Sequence, residues 1–313
     1  MTIYSALFFL AVAGLGFFLA MSQFCMVRAV LSLKEGHLSP IRCLLAISLS
    51  IGLIVYFMNV FSEHPIYNFR SVTPKIAISG FLFGVAARFN QGCYIGSMNY
   101  LGRGHLGRIM CVLGWIVGFI LVDGSSDKTS EYTKLYTIIT LLGLAVLLLV
   151  AEIWSLTKKQ IFIPNDDLPE LKGFKAGSLM LCIGLIIGGL IYFKFPYHPS
   201  TMSLNVSAWL KGSDFNYLSL SALMMPLGMM IFHKRRGQFE ILYLKQKDFK
   251  HLLWGILMAM TTTWGAGGND GYLFEYLPKG SLHAVMGLLG MSGGILISDT
   301  LYNFMKARRK KSR

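Results

Sequence analysis

The feature that most constrains this chain is the length of its uncharged apolar runs. Residues 43–61 pass without a charged side chain, as do residues 135–151 and 109–122, and residues 282–304 form a comparable run interrupted by Asp299. About 18 or more apolar residues in succession mark a bilayer span, since a helix rising 1.5 Å per residue needs about 20 to cross 30 Å of hydrocarbon. Charged residues make up only 14% of the 313, against 54% hydrophobic, whereas soluble domains carry about 25% charged residues. Mean hydropathy is positive, at +0.56. The pattern predicts an all-α integral membrane protein. The first run, residues 3–21, lacks the basic flank and small-residue cleavage site of a signal peptide, and is expected to be a retained span.

Spans are predicted near 3–21, 40–61, 74–89, 105–123, 133–154, 175–195, 217–233, 249–264 and 281–304, about nine in all. Four amphipathic pieces, 22–33, 90–100, 200–210 and 268–276, are too short to cross. Gly92, the pair Pro196 and Pro199, and the pair Gly267 and Gly268 introduce three of them. All four are expected to be re-entrant half-helices.

Charge sets the orientation. With loops numbered alternately, the side holding the C-terminus collects 22 of the 29 Lys and Arg residues, and the other side has only Arg70, Lys75, Lys128, Lys134, Lys194, Lys211 and Lys279. By the positive-inside rule the N-terminus lies outside and the C-terminus in the cytoplasm of a bacterial inner membrane. The net charge of +14 is then topological and gives no reason to expect a nucleic acid as partner. Tyr4, Tyr56 and Trp154 are expected to be interfacial anchors.

The chain repeats itself. A shift of 176 residues lays Gly92, Tyr100, Leu101, Gly104, Leu106, Met110, Leu113, Gly114, Gly118 and Asp123 on identical residues, from Gly268 to Asp299, ten matches in 32 positions. A four-span unit recurring after five crossings enters from the opposite side. That predicts an inverted repeat: 1–124 as the first unit, 125–172 as the linking span and loop, 173–305 as the second unit and 306–313 as a basic tail. Such architectures place substrate at broken helices near the midplane.

Two of the breaks carry a cysteine. Cys25 lies in SQFCMVRAV (22–30) and Cys93 in GFLFGVAARFNQGCYIG (80–96). The N-terminus of a helix offers unpaired N–H groups and partial positive charge, a setting for anions. A thiol there adds a weak, polarisable donor suited to a sulfur-containing anion. The alternative is that both cysteines fill a close helix crossing. Cys43, Cys111 and Cys182 lie in apolar runs and are expected to be inert. No C-x-x-C pair or histidine cluster points to a metal, and no nucleotide or haem motif points to a cofactor.

FCMVRAV, G-x-x-x-G-V-A-A-R-F-N-Q-G-C-Y-I-G and GGNDG (267–271) resemble the YeeE/YedE family of membrane proteins, linked to thiosulfate uptake and sulfur transport. The resemblance covers nearly the whole chain and is most specific in R-x-x-x-G-C-x-x-G, residues 88–96. It implies a narrow path on which Cys25 and Cys93 pass thiosulfate by short-lived S–H···S contacts. It also implies a TusA-type cytoplasmic sulfur carrier as partner. The chain departs from the family in the second half, where a third cysteine is expected. The repeat sets Asn269 opposite Cys93 and Thr201 opposite Cys25. The expected path therefore comprises Cys25, Cys93, Gly92, Asn269, Gly268, Thr201 and Arg88. Arg28 and Arg88 either attract the anion or snorkel to headgroups. Asp270 is either a functional carboxylate or the N-cap of the half-helix after it. A membrane thiol enzyme and a non-transporting scaffold are the competing readings. The enzyme reading is the weaker, since neither cysteine has a His or Glu within four residues to serve as base.

Overall fold

A computed structural model describes residues 3–22, 24–60, 69–70, 72–122, 129–130, 134–157, 174–265 and 267–311. The loop with Lys158, Lys159 and Lys172, the repeat residue Asp123, and the end of the basic tail lie outside the described residues. The chain is all-α. Its first half comprises α1 (Ile3–Met21), α2 (Met26–Lys34), α3 (Ser39–Val60), α4 (Pro74–Asn90), α5 (Tyr94–Gly102) and α6 (Ile109–Leu121). Then come α7 (Lys134–Thr157), α8 (Phe174–Tyr192), α9 (Pro199–Leu210), α10 (Met224–Arg235), α11 (Lys250–Gly265), α12 (Asn269–Gly271) and α13 (Leu282–Lys311). Short 3₁₀ turns lead into α6, α10 and α11, and α12 runs on as one π-helical stretch, Tyr272–Tyr276. Among the described residues, extended pairing is confined to β1 (Phe69–Arg70) against β2 (Thr129–Ser130) and an isolated bridge between His105 and Leu242.

Among the described residues three stretches are long and apolar enough to cross a membrane: Tyr4–Lys34, Pro40–Met58 and Leu282–Lys306. Leu106–Leu121, Thr140–Ala151 and Ser178–Tyr192 are shorter apolar helices. Nine full-length spans are therefore not seen. α4 and α11 have only 17 and 16 residues, about 25 Å of rise. The first stretch is also not one rod, because its backbone is extended at Cys25 (φ −159°, ψ 119°) between α1 and α2.

Four breaks share one backbone device. Where α1, α4, α8 and α11 end, an N–H reaches back five residues: Phe24 to Leu19, Gly92 to Ala87, Phe195 to Leu190 and Gly267 to Thr262, at 2.9–3.2 Å. Such 6→1 bonds satisfy carbonyls left open at a helix end. The turn after α4 uses Gln91 in the left-handed region (φ 62°), and that after α8 uses Lys194 (φ 55°). An extended residue, Cys25, Cys93, His198 or Gly268, then leads the chain into α2, α5, α9 or α12. The four short helices begin within one to four residues of where the sequence places them.

Packing follows the 176-residue shift. α4 packs on α13 as α6 packs on α11, α3 on α8 as α10 on α1, and α2 on α13 as α9 on α6. The related pairs α4 with α11 and α5 with α12 meet each other. Helices approach closely at small residues. Gly290 and Gly294 of α13 lie against the Ala77 and Phe81 carbonyls of α4, and their counterparts Gly114 and Gly118 lie against Leu252 and Ile256 of α11. α7 packs on α3 outside these pairs. The outer faces are apolar: Leu142, Val146, Leu149 and Val150 of α7, Leu7 and Leu10 of α1, and Leu289 and Leu301 of α13 are exposed. Asn90, Arg108, Asn269 and Asp270 are buried. Exposed apolar patches of this extent suit a lipid bilayer.

Candidate functional site: the meeting of the half-helices

Cys25 and Cys93 are the last extended residues before α2 and α5. The two helix N-termini converge, and both sulfurs border the same space over Gly96. The Cys25 sulfur faces the N–H groups of Val27, Arg28 and Cys93, and the Cys93 sulfur those of Met26 and Gly96. None of these contacts meets the geometry of a regular cap bond, so the N–H groups stay loosely held. Cys93 is wholly buried, while Cys25 keeps some accessible surface. Gly96 leaves room over the pair: a Cβ there would stand 3.2 Å from the Cys25 Sγ and 3.7 Å from the Cys93 Sγ.

Tyr94 joins this turn to the second half. Its hydroxyl and that of Thr262 on α11 lie 3.0 Å apart, and its ring meets Trp115 edge-on at 4.5 Å. Gly268 presses on the same ring, where a Cβ would meet Cε2 at 2.7 Å. Any side chain at 268 would push the two half-helices apart. Asn269, next in sequence, is fully buried, and neither Oδ1 nor Nδ2 has a hydrogen-bond partner in the protein. Leaving a buried polar group unpaired costs about 1–3 kcal/mol, so an orphaned amide beside a helix break marks a place built for something else.

Asp270 is not the N-cap of the half-helix after it. Gly268 is the cap residue of α12, and Asp270 lies inside the helix. Its Oδ2 accepts from the Ser200 backbone N–H (3.1 Å) and the Ser200 hydroxyl (2.7 Å). The carboxylate thus caps α9 across 70 residues of sequence, where the positive helix end favours it. Thr201 follows Ser200 and is partly exposed. On the same side Glu275 pairs with Lys279 (3.1 Å) and lies 3.6 Å from His198 Nε2.

Below the Cys93 turn lies a buried polar network that sequence reasoning missed. Asn90 Nδ2 donates to the Gly92 carbonyl (2.7 Å), Ser97 Oγ (3.0 Å) and Cys111 Sγ (3.3 Å). Its Oδ1 lies 2.7 Å from His251 Nδ1, and Arg108 donates to its carbonyl. Gly92 thus sits on the site's rim by its backbone. Cys111, expected to be inert, is a sulfur acceptor in this network. The signal was present in the polar residues Asn90 and Ser97 flanking Cys93, but their partners Arg108 and His251 are far along the chain. Cys43 is buried beside the Met180 sulfur (3.4 Å), and Cys182 is exposed on α8.

Arg88 requires a correction. Its guanidinium donates twice to Asp299 Oδ1, at 3.1 and 2.8 Å, and lies over the Tyr302 ring. Asp299 also accepts from Lys34 at 2.9 Å. Arg88 is spent on tying α4 and α2 to α13, and it neither joins the thiols nor snorkels freely. Arg28 is exposed. The structure therefore brings together Cys25 and Cys93, and, through the contact of Tyr94 with Gly268, sets Asn269 and Asp270 on the neighbouring turn. No protein-family model matches this sequence, and no curated protein matches it.

Proposed function

We propose that this chain is a multi-pass membrane transporter that conducts thiosulfate or a related sulfur-containing anion along a central path, as the YeeE/YedE-like motifs imply. The observation that carries the reading is the thiol pair: Cys25 and Cys93 each head a helix N-terminus, and both sulfurs border the same space over Gly96. Helix N-termini favour anions, and soft S–H donors suit a polarisable sulfur. No covalent bond changes. The anion exchanges one weak donor for the next. Asn269, with its free amide, supplies the corresponding donor in the second half.

The membrane placement is part of the same proposal. The nine longer helical segments are α1, α3, α4, α6, α7, α8, α10 with its 3₁₀ lead-in, α11 and α13. The β1–β2 pair joins two loops assigned to the outside, and the bridge between His105 and Leu242 joins two assigned to the cytoplasm. Both contacts suit strict alternation. The short spans α4 and α11 each break into a half-helix that extends them. The paired packing under the 176-residue shift supports an inverted repeat with its axis at the α4–α11 and α5–α12 contacts. Transport is favoured over a thiol enzyme because the contacts found for either sulfur include no imidazole or carboxylate base. A sulfur-carrier protein on the cytoplasmic side would receive the product.

The test is uptake of labelled thiosulfate into proteoliposomes holding the purified chain under reducing conditions. Saturable uptake that Cys93→Ala abolishes is expected. Uptake no faster than in empty liposomes would sink the proposal.

A further inference from the structure

A cavity of about 330 Å³ opens beside the Cys93 turn, lined by Gln91, Arg108, Lys245, Lys247, Lys250 and His251, among others. Its walls are tied together by backbone. Leu106 N–H bonds the Leu242 carbonyl, Leu242 N–H the Gly104 carbonyl and Glu240 N–H the Arg103 carbonyl, each at 3.0 Å. Asp248 is the carboxylate among the lining residues, and it is turned onto the loop, accepting from Lys245 N–H at 2.9 Å over Gly107.

The bland reading is a solvated positive-inside face, where lysines need no ligand. Arg108 does not fit it. Its residue is only 5% exposed, its guanidinium lies 4.4 Å over the Tyr100 ring, and its polar contacts are the Asn90 carbonyl and side chain and His251. Among the described residues no carboxylate pairs with Arg108, Lys245, Lys247 or Lys250. A buried cation with no directly paired carboxylate is costly; Asp248 acts on Arg108 only at longer range, and the guanidinium is oriented by two Asn90 acceptors. The Asn90 amide is itself fixed by its bonds to Gly92 and Ser97, so its Oδ1 accepts from a His251 Nδ1–H.

We infer that this cavity is a binding site for a small oxyanion of the sulfate or phosphate class, held by Arg108 with Lys247 and Lys250 at the rim. The volume lies at the lower end of ligand pockets, about 300–1,000 Å³, which suits a compact dianion with water or a phosphate headgroup. The site stands apart from the transport reading, because it requires binding only. Occupancy would nonetheless be felt at the path, since Arg108 and the Gly92 carbonyl share Asn90.

Calorimetry on the full chain in neutral detergent at low ionic strength, titrated with sodium sulfate and with sodium phosphate, tests it, with sodium chloride as control. Saturable binding of either oxyanion and none of chloride is expected. The double variant Lys247→Gln, Lys250→Gln should weaken it about tenfold. Lys306→Gln with Arg308→Gln removes the same charge from the tail helix and should leave it unchanged. Arg108→Gln should abolish binding if the variant folds, and the lysine variants decide the matter if it does not. Repeating the titration in nanodiscs with and without phosphatidylglycerol separates sources. Binding lost only with the anionic lipid assigns the site to a headgroup, and binding kept in both assigns it to a free oxyanion. Absence of saturable binding, or equal weakening by both double variants, would overturn the site.

Discussion

Replacing Asn269 with Leu should make the protein more stable and stop transport. The side chain is fully buried with both amide atoms unpaired. Each unmade bond at a buried polar group costs about 1–3 kcal/mol. An apolar side chain of similar length removes that cost and adds apolar burial, offset by about 1–3 kcal/mol if the site is tight. The net expectation is a gain of about 1–2 kcal/mol, read as a rise of a few degrees in melting midpoint. Thiosulfate uptake in proteoliposomes should fall to background, because the donor is gone and bulk replaces it. Asn269→Ala separates the two effects: partial uptake there would assign the block to bulk, and none would assign it to the lost amide. Asn269→Cys replaces the amide donor with a thiol and should keep or raise uptake. A Leu variant that is destabilised would show that the amide is satisfied. A Leu variant that transports normally would remove Asn269 from the path.

Gly96→Ala places a methyl 3.2 Å from the Cys25 sulfur. The helical gain of about 1 kcal/mol roughly cancels the crowding, so melting should shift little while uptake drops at least tenfold, and unchanged uptake would show the anion does not pass over the pair. Cys93→Ala should abolish uptake and Cys25→Ala reduce it strongly, with Cys43→Ala and Cys182→Ala near wild type. Equal loss in all four would argue against a thiol path. Asp270→Ala removes two charge-assisted bonds at the start of α9 and should destabilise by about 1.5–3 kcal/mol, visible as a lowered melting midpoint. A cytoplasm-active reporter after Arg313 should function, and an externally cleavable C-terminus would refute the orientation.

The all-α class and the positions of the four breaks were readable from local chemistry. Uncharged runs demand helices, because an apolar solvent leaves no other partner for backbone groups, and Gly, Pro and extended residues interrupt them within the reach of a few neighbours. The 176-residue repeat was readable for the same reason, and the paired helix contacts follow its shift. What those breaks do with their side chains was decided only by tertiary packing. Arg88 looked free for an anion until Asp299, 211 residues away, claimed it, and Asp270 looked like its own helix's cap until α9 was brought against it. Cys111 sits in an apolar run, and only the fold brings the Asn90 amide onto its sulfur. A pairing between distant residues leaves no local trace, because its energy depends on two surfaces meeting and not on either sequence. The unpaired amide of Asn269 is the extreme case: sequence supplies the residue, but only the closed fold decides that nothing in the protein satisfies it.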